Sequence, residues 1–173
     1  RTNEQAVLLL DPVNGPQIEL ALKQNKRDFV GPNCTVSLLL LALEGLLKQN
    51  QIQWITTHSY QAASGAGAKA MAELALQFKE LGLFLAEEIK PEVWENGTQL
   101  VDQIHQFLSE KMQAKQVFGV PLAASLIPAI DTQMEGRFCQ HTKEEWKAET
   151  EGNKILTNLH SYIPIDGICV RTP

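Results

Sequence analysis

The stretch Phe29–Leu43, FVGPNCTVSLLLLAL, decides how this chain folds. Phe29 and Val30 close a short β-type run, Gly31 and Pro32 turn the chain, and an unbroken leucine-rich segment follows. With no proline or glycine in its first turns, that segment predicts a helix from Thr35 to about Gln49. Its leucines point in every direction, which predicts burial on most sides rather than one wet face. Asn33 is a good N-cap residue, so Cys34 stands at the helix mouth. Unpaired backbone N–H groups there favour an anion by about 0.3–1 kcal/mol, and they can hold a thiolate or the oxyanion of a carbonyl under attack. The competing reading is that free cysteine is among the most buried residue types and simply packs.

Working outward, the segment before Phe29 completes a β-α-β rhythm. AVLLL (6–10) reads as a buried strand stopped by the turn chemistry of DPVNGP, PQIELALKQNK (16–26) has helical spacing, and RDFVG returns as a strand. After the leucine helix, IQWITTHSYQ alternates. Trp54, Thr56, His58 and Tyr60 fall on one face, with Ile55, Thr57, Ser59 and Gln61 on the other, as in a strand. ASGAGA then leads into a long helix over about Lys69–Ile89. KPEVWENG reads as a connection, TQLVDQIHQFLSEKM as an amphipathic helix, and FGVPLAASLIPAID as strand and irregular segments punctuated by Pro121 and Pro128. TKEEWKAETEGNKILTNL is expected to be helical despite Gly152, and IPIDGICVR to be a closing strand. The class is α/β or α+β, with a mixed sheet packed against helices.

Composition excludes several functions. The 173 residues are 44% hydrophobic and 20% charged with a net charge of −5, which fits one compact globular chain and argues against a nucleic-acid or anionic-membrane surface. A metabolite-sized partner is expected instead. Three cysteines in unrelated contexts show no disulfide framework or zinc spacing, which implies a reducing, cytoplasmic compartment. The longest apolar run, VSLLLLAL, is far shorter than a membrane span needs. Arg1 and the closing VRTP look like cut ends rather than natural ones.

Other chemistry is weaker. GAGAKA (65–70) fits the G-x-G-x-x-A grammar of a dinucleotide turn, but the strand before it is polar. Cys139 and His141 offer two metal ligands with no second pair, so a surface loop is the better reading. Cys169, inside an apolar strand, is expected in the core. Glu151 and Lys154, three apart on one helix face, read on their own as a solvated ion pair.

Six ordered motifs, LDPVN, FVGPNCTVSL, YQAASGAGA, FGVPLAASLIP, WKAETEGNKIL and IPIDGICVR, resemble aspartate-semialdehyde dehydrogenase of the Gram-negative bacterial type along the whole chain. The resemblance implies the central part of such an enzyme, in the glyceraldehyde-3-phosphate-dehydrogenase-like fold. Residues 1–33 would end the NADP-binding Rossmann half, and 34–173 would belong to the catalytic and dimerisation domain. It implies NADPH-dependent reductive dephosphorylation of L-4-aspartyl phosphate to L-aspartate 4-semialdehyde, serving lysine, threonine and methionine synthesis, by a homodimer or larger homo-oligomer. Cys34 would be the nucleophile. Gln61 and Glu151 would bind substrate, Arg1, Lys154 and Asn33 the phosphate, and Ser64 and Gly65 the nicotinamide end of NADP. No metal is implied. The family has a second glycine where Pro32 stands. Its cofactor half would precede Arg1, and its general-base histidine and carboxylate-gripping arginine would follow Pro173, so none of His58, His105, His141 or His160 takes the base role and the isolated chain should be inactive. The alternatives are a related acyl-phosphate reductase, whose cysteine contexts differ from GPNCTVS, and a non-catalytic paralogue or dimerisation module that keeps the core and loses thiol reactivity.

Overall fold

The structure, a computed structural model, describes residues 6–136, 140–157 and 159–173. It divides into two compact units, one of residues 1–59 with 130–169 and the other of 60–129 with 170–173.

The first unit opens with the expected β-α-β element. Strand β1 (Val7–Leu8) and strand β2 (Phe29–Val30) pair in parallel, with Val7 opposite Phe29 and Leu8 opposite Val30, and helix α1 (Gly15–Lys23) joins them. The turn between β1 and α1 is tied by Asn14, 1% exposed: its Oδ1 accepts from Leu10 N–H at 2.9 Å and its Nδ2 donates to Leu8 O at 2.7 Å. A buried amide satisfied at both ends fixes a loop without leaving backbone groups unpaired. Pro16 then supplies the preset φ that suits a first helical turn.

Helix α2 (Cys34–Lys48) packs against helix α6 (Lys143–Leu156) over a core of Val36, Leu40, Leu47, Ala148, Ile155 and Leu156. The spacing within each set is one helical stripe. Burial on most sides does not hold for α2: Leu38 is 71% exposed, and Leu41 and Leu46 are also exposed. An apolar pattern all around a helix does not reveal which faces its own chain covers, and here one face is covered. A Cβ at Gly152 in α6 would stand 2.9 Å from Ile165 Cδ1, so a larger residue there would make that side-chain end shift.

Strands β3 (Ile55–Ala62) and β4 (Ile165–Thr172) form the second sheet. Ile55 N–H donates to Pro164 O at 2.9 Å where both begin, so they run in the same direction. β3 alternates as the sequence predicts, with Ile55, Thr57, Ser59 and Gln61 turned inward and Thr56, His58 and Tyr60 exposed. The strands approach so closely at Gly167 that a Cβ would sit 2.0 Å from Thr57 O.

The second unit is organised by helix α3 (Ala68–Glu87). Its inward stripe contains two polar residues. Glu73 accepts from Val117 N–H at 2.5 Å and Phe118 N–H at 3.0 Å. Gln77 accepts from Leu122 and Ala123 N–H at 2.7 and 2.9 Å and donates to Ala114 O at 2.7 Å. These bonds hold the apolar 114–123 segment, whose backbone has no ladder of its own. Around Pro121 and Pro128 the described residues form no strand, only an antiparallel bridge between Ile127 and Arg171. The connection 90–97 includes a four-residue helix α4 (Pro91–Trp94). Helix α5 (Gly97–Gln106) runs on into one wider turn, Phe107–Lys111, where Phe107 stacks on Phe84 with ring centroids 4.4 Å apart. No helix among the described residues is long and apolar enough to cross a membrane.

Candidate active site

In the first unit the thiol of Cys34 is exposed at the first residue of α2. Asn33 makes this possible. Its Oδ1 accepts from Thr35 N–H at 2.8 Å and Val36 N–H at 3.4 Å, which is the capping bond expected from the sequence. Its Nδ2 donates to Glu144 Oε1 at 2.7 Å, and its backbone N–H donates to Glu151 Oε2 at 2.7 Å. Asn33 is 4% exposed, so the residue before the thiol is gripped by α2 on one side and by two carboxylates of α6 on the other.

The start of α6 is itself over-determined. Thr142 and Glu145 form a capping box, with Glu145 Oε2 accepting from Thr142 N–H at 2.7 Å, while Glu145 Oε1 accepts from Cys169 N–H at 3.1 Å and ties α6 to β4. Glu144 Oε2 also accepts from Lys147 Nζ at 3.0 Å. Burial alone would lower the Lys147 amine, but the hydrogen bond and charge of Glu144, joined by those of Asp131, leave it above its usual range. Asp131, 3.4 Å from Lys147 Nζ, is held below the usual carboxylate range, chiefly by Thr132 N–H and then by Lys147 and Lys143 against some burial. The S/T-x-x-E signature Thr142–Glu145 is legible in sequence. The bond from Glu144 to Asn33 is not, since the two residues are 111 positions apart.

Cys169 behaves as core. It is 3% exposed and accepts from Ser59 Oγ at 3.0 Å. Burial pushes its thiol up, Ser59 opposes this, and the negative charges of Glu144, Glu145 and Cys34 push it further up. The two sulfurs therefore differ in kind. One is sealed and disfavoured as a thiolate; the other is open at a helix mouth.

Glu151 and Lys154 do not act as a pair. Glu151 turns to Asn33, whereas Lys154, half-buried one turn on, lines a groove of about 260 Å³ with Gln17, Leu20, Gln24 and Lys26 of the α1 region, a groove that Cys34 does not line. Arg1 and Cys139 lie outside the described residues. His141 is half-buried with Nε2 3.0 Å from Asp166 Oδ1, and no group of three or more metal-ligating side chains occurs among the described residues.

In the second unit Gln61 is half-buried at the end of β3, and a 3₁₀ turn (Ala63–Ala66) carries exposed Ser64 and Gly65. Gly67, at φ +91°, begins α3 in a conformation that favours glycine. Residues 64–69 are all exposed.

The architecture is that of an α/β protein whose larger part is an assembly domain: residues 43–173 match the family described as semialdehyde dehydrogenase, dimerisation domain. Aspartate semialdehyde dehydrogenase from Francisella tularensis is 40% identical and superposes with a TM-score of 0.83, covering 99% of this chain and 45% of its own. Aspartate semialdehyde dehydrogenase II from Vibrio cholerae, in a structure complexed with ASA, is 25% identical with a TM-score of 0.70, covering 99% of this chain and 41% of its own. A probable aspartate-semialdehyde dehydrogenase from Pseudomonas aeruginosa, at 17% identity and a TM-score of 0.65, shares the fold. The chain belongs to the semialdehyde dehydrogenase family through its dimerisation domain, and it spans less than half the length of the solved chains it matches.

Proposed function

We propose that the protein to which this chain belongs reductively dephosphorylates L-4-aspartyl phosphate to L-aspartate 4-semialdehyde with NADPH, and that Cys34 is its nucleophile. One observation carries the reading: in a chain of this family, the thiol at the mouth of α2 is exposed and its neighbour Asn33 is clamped from three directions. The Cys34 sulfur attacks the acyl carbon, the C–O bond to phosphate breaks, phosphate leaves with the electron pair, and a thioester remains. NADPH, when bound, supplies the hydride that reduces this thioester. The C–S bond then breaks, the aldehyde departs and sulfur returns as thiolate.

Side chains of this chain do the positioning. Gln61 orients the acyl group, and Glu151, its Oε2 already fixed by Asn33 N–H, meets the substrate ammonium. Lys154 and Arg1 receive the phosphate, with Asn33 contributing an amide proton. The exposed, small-residue turn Ser64–Gly67 fits the nicotinamide end of NADP; it offers no cradle for a whole dinucleotide. Residues 1–33 are assigned to the end of the cofactor half and 34–173 to the catalytic and dimerisation half. The dimerisation domain supports a homo-oligomer, taken here as a homodimer or larger, in the cytoplasm, and the 173-residue chain alone is inactive.

The test is made on the full-length protein. Phosphate-dependent reduction of NADP with L-aspartate semialdehyde should disappear in Cys34→Ala, and quenched wild-type reactions should show an aspartyl adduct on the Cys34 peptide by mass spectrometry. Retained activity in Cys34→Ala, or an adduct elsewhere, contradicts the proposal.

A further inference from the structure

A buried carboxylate of α6 that the proposed chemistry does not use sets the direction of the Asn33 amide. The Nδ2 of a carboxamide carries two hydrogens, which lie in one plane with Oδ1. In Asn33, Oδ1 is fixed on Thr35 and Val36 N–H at 2.8 and 3.4 Å, and one Nδ2 hydrogen goes to Glu144 Oε1 at 2.7 Å. With both ends of a planar group fixed, the direction of the second hydrogen is fixed as well. Glu144 is 8% exposed and stands in the first turn of α6, where the backbone N–H groups favour negative charge. Its Oε2 accepts from Lys147 Nζ at 3.0 Å, and Lys147 Nζ lies 3.4 Å from Asp131 Oδ2. A carboxylate accepts on both oxygens at once. A glutamine of the same length accepts on one, and it would turn its NH₂ group toward Asn33 or toward Lys147, donor against donor. Burying a carboxylate is costly unless it is paired, and here the amide it pairs with belongs to another helix, 111 positions away.

We infer that Glu144 is a positioning residue of the proposed reaction: by taking one Nδ2 hydrogen of Asn33 it aims the other at the phosphate, while Lys147 holds Glu144 Oε2 and keeps Oε1 turned to Asn33. The inference rests on the reading of Asn33 as a phosphate donor given above. Glu144 itself touches no substrate in this scheme, so its loss is felt at the phosphate and not at the semialdehyde.

Steady-state kinetics of the full-length protein, run as phosphate-dependent reduction of NADP with L-aspartate semialdehyde, test it. Glu144→Met, similar in volume but without an acceptor, should raise the KM for phosphate about 10-fold, the size of one hydrogen bond to a charged group, and leave the KM for the semialdehyde unchanged. Glu144→Gln, which keeps one oxygen, should recover part of the loss. Asp131→Asn, which breaks only the outer contact of Lys147, should leave both KM values unchanged. In an Asn33→Ser background, which keeps a capping oxygen and lacks the amide, Glu144→Met should raise the phosphate KM less than about twofold more, because the two residues act through one group. Both KM values rising together, effects that multiply, a loss that follows only the folded fraction, or a rise in Asp131→Asn as large as in Glu144→Met makes Glu144 structural and overturns the inference. If Asn33→Ser raises the phosphate KM while Glu144→Met does not, the inference alone fails; if Asn33→Ser changes nothing, the Asn33 reading fails and takes the inference with it. Should Glu144→Met not fold, Glu144→Asp replaces it: a carboxylate one methylene shorter should raise the phosphate KM several-fold at unchanged semialdehyde KM, and a neutral result overturns the inference.

Discussion

Asn33→Ala removes two interactions at once, and the structure separates their sizes. Loss of the cap on Thr35 and Val36 N–H costs about 1 kcal/mol. Loss of the Nδ2 donor to the buried Glu144 carboxylate costs about 1.5–3 kcal/mol, toward the lower end because Lys147 still donates to that group. The sum is about 2.5–4 kcal/mol, or roughly 5–15 °C in thermal midpoint for a chain of this size. Circular dichroism melts measure it. Asn33→Ser keeps a capping oxygen and should recover only the first loss. Asn33→Asp also caps, but it sets a carboxylate where Nδ2 now lies 2.7 Å from Glu144 Oε1. A carboxyl forced up in the folded state destabilises above its unfolded pKa of about 3.9 and ceases to do so as pH falls below it, so the Asn33→Asp deficit should be large at pH 7 and shrink toward pH 4. A loss below about 1 kcal/mol for Asn33→Ala, together with an Asn33→Asp deficit that ignores pH, would refute the clamp as the device that positions the thiol.

Two further predictions concern the frame of the first unit. Gly167→Ala places a Cβ 2.0 Å from Thr57 O and should destabilise by about 3 kcal/mol or more in urea unfolding, since β3 and β4 must part to admit it; a loss under about 1 kcal/mol contradicts the strand spacing. Because Asp131 is held low, its stabilisation is present above about pH 3.9 and is lost as pH falls through its folded value, and because Lys147 is held high, its contribution survives until pH rises above the ordinary 10.5. Asp131→Asn should therefore flatten the acid limb of the stability profile, and Lys147→Met the alkaline limb.

Local rules made much of this fold readable. The Asn33 cap, the alternation of β3, the β-α-β opening and the apolar stripe of α6 are each set within a few residues, and each stands where the sequence implies. What escaped was set by partners distant in sequence. Asn33 gives its amide to Glu144 and its backbone N–H to Glu151, and no periodicity announces either bond. Lys154 shares a helix turn with Glu151, yet it lines the α1 groove while Glu151 turns to Asn33. The α2 leucines mislead for another reason: an apolar residue signals that something covers it, but not whether that cover belongs to the same chain.

Contrast between the two sulfurs is the central claim, and peptide-resolved alkylation of the folded full-length protein measures it most directly. With iodoacetamide at neutral pH, Cys34 should be modified at least about 10²-fold faster than Cys169, whose thiol is sealed and held in its neutral form. Equal rates, or faster modification of Cys169, would contradict the account.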